Sequence, residues 1–389
     1  ETYKAKRPQT SRELQDAGND VFSPHVWLAA RLLSEKALGV KSDFYAYIAL
    51  LPEAHDGFDH LPVNFNQELL QELQGTEVVD DAIELNATIR REHSAIRKRV
   101  PSLQHISLQE WRWARMIVIT RCFSVFIDGI KTSILAPYAD MLNHDYPTIT
   151  SWKYNAAKKA FVVTVTDDIS SGSEVTIGYG QLSNFRYFSR YGFIVNQNTE
   201  DDARVRYVAS GEKRQQRTFR VRWSSAVDDL LSLYNYVISH ASLSPNASSS
   251  SPSKELAVRR DAWRKVRDAL GETLRGYPHT IEEDNRLFLQ WRTSSSPSSS
   301  PSSSPTLRYI VTLRRREKKL LHSLQIAAYS AVDVLSSDSS LSTFAALQAK
   351  LNETHAALGA NNDIECLTCV SHAKQLLQRC EAEWRGLFV

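Results

Sequence analysis

The sequence predicts an α+β fold, in which a mostly helical first third leads into a compact β-rich unit and an all-helical domain follows at the C-terminal end. Three observations predict it. Helical apolar spacing dominates from Ser23 to Arg121, short β-branched and aromatic segments follow as far as Tyr179, and helical spacing returns beyond about Val208. At 389 residues and 42% hydrophobic composition the chain is long for one domain, so two are expected.

The first helix is expected at Ser23-Pro-His-Val-Trp-Leu-Ala-Ala-Arg-Leu-Leu, where serine can cap and proline suits the first helical position. Helical pattern continues through Phe44 to Leu51 and Gln67 to Arg99, punctuated by Pro52 and Pro62. Ser107 and Glu110 make a capping box ahead of a Trp111, Trp113, Met116, Ile117 run that ends near Arg121. Strands are expected at Lys131 to Pro137, Thr150 to Tyr154, Phe161 to Thr166 and Val175 to Tyr179. A short helix over Ser183 to Tyr191 closes on Gly192, which suits the left-handed cap.

In the second half, Arg204, Arg206, Arg220 and Arg222 alternate with apolar residues, as on extended segments with one wet face. Two serine-proline tracts, 242–253 and 294–305, have too little apolar surface to offset the entropy of ordering and read as insertions. A capping box at Thr280-Ile-Glu-Glu283 and an amphipathic stretch from Leu307 through Arg316, Glu317, Leu320 and Leu324 to Ala328 make the rest helical. The cluster Arg314, Arg315, Arg316, Lys318 and Lys319 reads as the solvated face of that helix. Cys366, Cys369, Ala373, Leu376 and Cys380 fall on one helix face, so a buried thiol stripe is preferred to a zinc site with His372.

Composition excludes several classes. The 47 Lys+Arg against 44 Asp+Glu leave a net charge of +3, no field for coating nucleic acid. No window is apolar enough for a membrane span, and four cysteines are too few to staple so long a chain, which points to a reducing compartment. The expectation is a water-soluble monomer without membrane or direct nucleic-acid partners.

Chemistry concentrates in Ala136-Pro-Tyr-Ala-Asp-Met-Leu-Asn-His-Asp145, Val175-Thr-Ile-Gly-Tyr-Gly180 and Ser189-Arg-Tyr-Gly-Phe193. Asp140, Asn143 and His144 follow a strand, and Tyr179 falls between two glycines where the backbone can turn and a ligand can approach. By the residues alone this is either a small-molecule pocket floored by a tyrosine, or a capped turn beside a packed sheet residue. The adjacent His144-Asp145 pair could ligate a divalent ion, but it follows a strand and lacks the further ligands on surrounding helices that such a site needs.

In combination, these segments resemble the SET-domain protein methyltransferases, in the branch that includes the Rubisco large-subunit lysine methyltransferase. Ala139-Asp-Met-Leu-Asn-His144 is similar to that branch's Asp-x-x-Asn-His element, and Ile177-Gly-Tyr-Gly180 with Ser183-Asn184 to its Tyr-Gly-x-x-Ser-Asn element. Tyr191-Gly-Phe193 falls where the branch has Tyr-Gly-Phe, and Thr120-Arg-Cys-Phe123 resembles its Ser-Arg-x-Phe segment. Looser similarity extends from Ser23 to Gln325.

The resemblance implies a SET domain over 1–207, with a helical insertion at about 23–118 and a catalytic half at about 119–207 whose C-terminal segment is threaded like a knot. A helical Rubisco-methyltransferase-like substrate-binding domain over 208–389 would follow. It implies S-adenosylmethionine as cofactor, held by Arg121, Asn143, His144, Tyr191 and Phe193, and no metal. Arg121, Asp140 and Tyr179 would border the substrate lysine, with Tyr179 as the catalytic tyrosine. The implied activity is protein-lysine N-methylation of a histone or non-histone protein gripped by the C-terminal helices. The alternatives are a protein-histidine methyltransferase of the same branch and an inactive SET-like scaffold. The related actin-histidine methyltransferases carry asparagine two positions after the Arg121 equivalent and tryptophan just before the Asp140 equivalent. Phe123 and Ala139 stand there instead, which favours lysine. The family's glycine-rich opening strand pair is expected before Ser23, where Glu1 to Phe22 holds only Gly18. Cytosol, nucleus and plastid are all compatible addresses.

Overall fold

Ser23 opens the first helix as its sequence predicts: its Oγ accepts the Val26 N–H, Pro24 takes the first helical position, and α1 runs Pro24–Leu38. The computed structural model describes residues 22–53, 57–209, 216–240, 252–293 and 304–336, with scattered positions at 13, 16, 349, 371, 372, 374, 375 and 378. The described residues form two compact units. One draws on Glu1–Phe65, Asp81–Gln181 and Ser189–Gly192, the other on Asn66–Asp80, Leu182–Phe188 and Phe193–Val389. No described helix is long and apolar enough to cross a membrane.

In the first unit the helices α2 (Tyr45–Ala49), α4 (Glu77–Arg99) from Asp81 onward, and α5 (Leu108–Arg121) join α1; Glu77 to Asp80 belong to the second unit. Val26, Ala29, Ala30 and Leu33 on α1 and Trp111, Ala114, Ile117 and Val118 on α5 are buried in one cluster, at the three- and four-residue spacing that aligns side chains on a helix face. The Ser107 capping box is closed, with Glu110 N donating to Ser107 Oγ at 3.1 Å and Ser107 N to Glu110 Oε2 at 2.8 Å.

Two antiparallel hairpins follow: β1 (Phe123–Ile127) with β2 (Ile130–Ile134), and β3 (Thr150–Asn155) with β4 (Ala160–Val165). The sequence reading missed β1, although Asp128-Gly129 is a two-residue hairpin signal, and both residues take positive φ, 50° and 78°. Val175 to Tyr179 is corrected from a strand to a single parallel bridge, His144 to Ile177. The reason is that side chains occupy the backbone groups that a ladder would use. Thr150 Oγ1 donates to Thr176 O at 2.7 Å, Trp152 Nε1 to Gly178 O at 3.1 Å, and Tyr179 N donates to His144 Nδ1 at 3.1 Å.

The second unit contains α3 (Gln67–Glu72), most of α6 (Asn184–Tyr191), and the hairpin β5 (Asp202–Val208) with β6 (Gln216–Arg222). It continues with α7 (Ala226–His240), α8 (Pro252–Arg275), α9 (Ile281–Thr293) and α10 (Pro305–Val334). The four alternating arginines do make one polar face of the hairpin, and they are ion-paired. Arg204 and Arg206 reach Asp80 at 2.5 and 3.0 Å, Arg220 reaches Asp202 and Glu77 at 2.8 and 2.7 Å, and Arg222 reaches Asp229 at 2.8 Å.

The basic cluster on α10 is not a solvated face. Arg314 is fully buried, and Arg316, Lys318 and Lys319 are buried beside it. Arg314 pairs with Asp284 at 2.7 Å and Glu72 at 2.5 Å, Lys318 with Asp284 at 2.6 Å, and Arg316 with Asp201. Arg314, Arg316 and Lys318 persist in the interior because each has a carboxylate partner, and those partners lie far away in sequence. The serine-proline tracts fall almost wholly outside the described residues, as do Cys366, Cys369, Ala373, Leu376 and Cys380. His372 is described, and its ring packs 6.0 Å from that of Trp223.

Candidate active site

The end of α5, the turn after β2 and the bridge segment converge on a cavity of about 440 Å³ in the first unit. Arg121, the last residue of α5, donates from Nη1 to the Asp140 carbonyl at 3.0 Å. Asp140 lies in a short 3₁₀ turn, Ala139–Met141, whose preceding residue, Tyr138, holds φ 68° and ψ −38°. That region is sparsely populated for a residue with a Cβ, so the turn holds local strain where it presents Asp140. Asp140 is 6% exposed; its Oδ2 accepts the Tyr47 hydroxyl, and its Oδ1 has no hydrogen-bond partner. Burial pushes the carboxyl above its ordinary range, against the lowering influence of the Tyr47 hydrogen bond and Arg121. The Tyr47 hydroxyl is in turn driven far above the usual tyrosine range by burial and by the carboxylate it faces.

Tyr179 lines the same cavity. Its hydroxyl donates to Leu142 O at 2.8 Å, and its ring lies 4.8 Å from that of Tyr191 and 5.2 Å from that of His144. Burial raises its pKa, so the hydroxyl stays protonated and remains a donor. Burial lowers the His144 pKa and so favours the neutral ring, and the Tyr179 N–H donated to Nδ1 places that ring's proton on Nε2. Gly192 ends α6 at φ 76°, and a Cβ there would meet the His60 carbonyl oxygen at 2.9 Å, so only glycine makes this turn after Tyr191.

Four of the residues singled out from the sequence therefore gather at the cavity wall: Arg121, Asp140, Tyr179 and Tyr191. Asn143 and His144 are not among its lining residues. Asn143 is exposed, with its side chain on Glu174 Oε1 at 2.6 Å and its carbonyl accepting Ile177 N at 2.8 Å. Phe193 belongs to the second unit, where it stacks on Tyr187 at 5.3 Å. The sequence reading did not find Tyr47, His25, Arg115 or Ser189. Arg115 left one signal: it is the single charged residue among the buried positions of α5, inside Trp-Arg-Trp-Ala-Arg-Met-Ile-Val. Ser189 opens the Ser189-Arg-Tyr-Gly-Phe193 segment but was given no role there, and Tyr47 left no signal, because nothing local marks a hydroxyl whose surroundings are assembled from distant segments.

Residues 202–321 match the Rubisco LSMT substrate-binding family model. Over most of its length the chain superposes on solved structures of Rubisco LSMT. One is the LSMT SET domain bound to lysine and AdoHcy, at TM-score 0.62 and 18% identity, covering 84% of this chain and 80% of that one. Another is Rubisco LSMT bound to AdoMet, at TM-score 0.59 and 18% identity, covering 83% of this chain and 78% of that one.

The fold is that of Rubisco LSMT.

The LSMT fold accounts for the mixture of small hairpins and long helices, and for a helical region beginning near β5. In sequence, the chain is similar to actin-histidine N-methyltransferases. That of Xenopus tropicalis is 28% identical over 214 residues, 52% of this chain and 35% of that protein. That of Danio rerio is also 28% identical over 214 residues, covering 52% of this chain and 34% of that protein. The matched region spans about a third of the length of these curated relatives.

Proposed function

We propose that this chain is an S-adenosylmethionine-dependent protein methyltransferase of the SET/LSMT branch, and that its acceptor is a lysine side chain. The observation that carries this reading is the Tyr179 hydroxyl, held on Leu142 O in a cavity that also presents Tyr191, Arg121 and the bare Asp140 Oδ1. Aromatic faces and an unpartnered carboxylate oxygen suit positively charged or polarised groups, which is what both a sulfonium and an acceptor amine bring. S-adenosylmethionine, when bound, supplies a methyl group activated by that sulfonium.

The chain's own residues position and desolvate. Tyr179 and Tyr191 exclude water from the acceptor nitrogen, which favours the neutral amine that an in-line displacement requires. Asp140 Oδ1 accepts a hydrogen bond from that amine, and Arg121 fixes the Asp140 backbone. Tyr179 is the catalytic tyrosine. Arg121 and Tyr191 serve the cofactor at the cavity wall, and Asn143 and His144 serve it from the segment bridged to Ile177. Phe193 enters on the resemblance alone.

Lysine is supported by Phe123, which stands where the actin-histidine enzymes have asparagine. Its ring is buried against Trp152 and Phe161, at 5.1 and 4.6 Å, so that wall offers no polar group to an imidazole. The histidine reading is favoured by the names of the relatives in sequence. Transfer from tritiated S-adenosylmethionine to lysine-bearing and histidine-bearing peptide arrays, followed by hydrolysis and amino-acid analysis, separates them. Label in methyllysine supports the proposal; label in methylhistidine overturns the acceptor. Failure of S-adenosylhomocysteine to bind the chain in calorimetry overturns the methyltransferase reading itself.

A further inference from the structure

Cys122 caps the C-terminal end of α5, donating its N–H to Val118 O at 3.0 Å, and its half-buried side chain belongs to the cavity wall. Its Sγ lies 3.4 Å from Nε2 of His25, which sits in the first turn of α1 and lines the same cavity. The two are 97 positions apart in sequence, and the packing of α1 on α5 brings them together. Burial pushes the thiol above the ordinary cysteine range, against the lowering influence of Arg115 and Arg190. A thiol so placed keeps its proton and is inert unless a proton acceptor stands at the sulfur. Burial above all, with Arg115 and Arg190 in support, holds the His25 pKa below its ordinary value. The ring is therefore neutral, and in the tautomer protonated at Nδ1 it offers Nε2 as that acceptor. Among the described residues no cluster of three or more His, Cys, Asp or Glu side chains could hold a metal ion, so the contact is a two-residue thiol–imidazole couple.

We infer that Cys122 is a covalent modification site for small α,β-unsaturated carbonyl compounds, with His25 as its proton acceptor. Sγ bonds to the β-carbon, the C=C π pair shifts onto the carbonyl oxygen as an enolate, and the thiol proton passes to His25 Nε2. That proton then returns to the α-carbon as the enolate collapses, so nothing is oxidised or reduced and no group leaves. A cavity of about 440 Å³ has the size of a small-molecule site and admits such an electrophile. The adduct, fixed to the wall, then occupies part of that volume. The modification stands apart from methyl transfer; its consequence, exclusion of S-adenosylmethionine from the cavity, rests on the methyltransferase reading.

The test treats the full chain with acrylamide at neutral pH and follows each cysteine by peptide mass mapping, with Cys366, Cys369 and Cys380 read in the same digests as references. In the folded wild type Cys122 is expected to label at least as fast as the same thiol in the urea-unfolded chain, although burial alone would slow it. His25→Gln, checked for native circular dichroism, is expected to slow Cys122 by about tenfold or more and leave the other three cysteines within about twofold. Slower labelling of Cys122 in the fold than in urea, or equal rates in wild type and His25→Gln, overturns the modification site. The comparison with urea needs no variant, so it decides even should His25→Gln fail to fold. Calorimetry of S-adenosylhomocysteine then reads the consequence. Acrylamide treatment is expected to weaken its binding to wild type by about tenfold or more and to leave that of Cys122→Ser unchanged, which assigns the loss to Cys122. Labelling of Cys122 with unchanged affinity overturns the exclusion of the cofactor. No binding to untreated wild type overturns the methyltransferase reading and leaves the modification site to the labelling rates.

Discussion

The Tyr47 hydroxyl donates to Asp140 Oδ2, joining α2 to the turn after β2 across 93 positions of sequence. One carboxylate oxygen is thereby satisfied and held, and the other, on a residue that lines the cavity, has no hydrogen-bond partner. Removing the donor strands a buried acceptor. Tyr47→Phe is expected to cost about 1–3 kcal/mol in urea unfolding, and to push the Asp140 pKa higher still. If Asp140 orients the acceptor amine, methyl transfer falls further than stability explains.

Tyr179→Phe keeps the ring that packs on Tyr191 and His144 and deletes only the hydroxyl held by Leu142 O. Transfer is expected to fall by about 10²–10³-fold, the usual cost of deleting one preorganised donor, with S-adenosylhomocysteine affinity within a few-fold of wild type. Equal loss of affinity and rate would make the tyrosine structural.

His144 gives a pH dependence with a definite sign. Its Nδ1 must be unprotonated to accept the Tyr179 N–H, and burial holds its folded pKa below the ordinary 6.5. The unfolded chain therefore takes up the proton first as pH falls. The stability that this group contributes is full above about pH 6.5 and is lost as pH drops through the lower folded value. The His144 ring resonance in an NMR titration should move below pH 6.5, and His144→Gln should weaken the acid destabilisation.

Glu317 runs the other way. Burial pushes its carboxyl up to about 8, although the Tyr277 hydroxyl donates to it at 2.6 Å. Its folded pKa exceeds the unfolded 4.5, so its contribution is full below about pH 4.5 and is lost as pH rises through about 8. Denaturant midpoints should fall between pH 6 and 9 in wild type, and that slope should flatten in Glu317→Gln.

Arg314 tests the ion-paired interior of the second unit. Arg314→Leu leaves Glu72 and Asp284 with fewer counter-charges, Lys318 alone remaining on Asp284. A loss of about 3–5 kcal/mol is expected by chemical denaturation, far above the near-zero effect of a solvated surface arginine.

Periodicity and capping chemistry, which act within a few residues, made the helices from Pro24 to Arg121 and both capping boxes legible in the sequence. So were three of the hairpin strands and four residues of the cavity wall, because the Asp140, Tyr179 and Tyr191 segments carry a family pattern. Local reasoning went astray wherever partners were distant. The Val175 to Tyr179 segment has strand composition, yet Thr150, Trp152 and His144 take its backbone groups. The α10 cations have the spacing of a wet face, yet Glu72, Asp201 and Asp284 accompany them into the interior. Tyr47 meets Asp140 with no mark in the sequence around it, and Arg115 and Ser189 share one cavity although only a lone charge on a buried helix face and the start of a motif segment mark them. By itself, then, the sequence determined which segments become helix or hairpin and which motif names the candidate chemistry. Tertiary structure decided which charges are buried and which polar atoms are left open, since burial and pairing depend on what packs opposite a side chain.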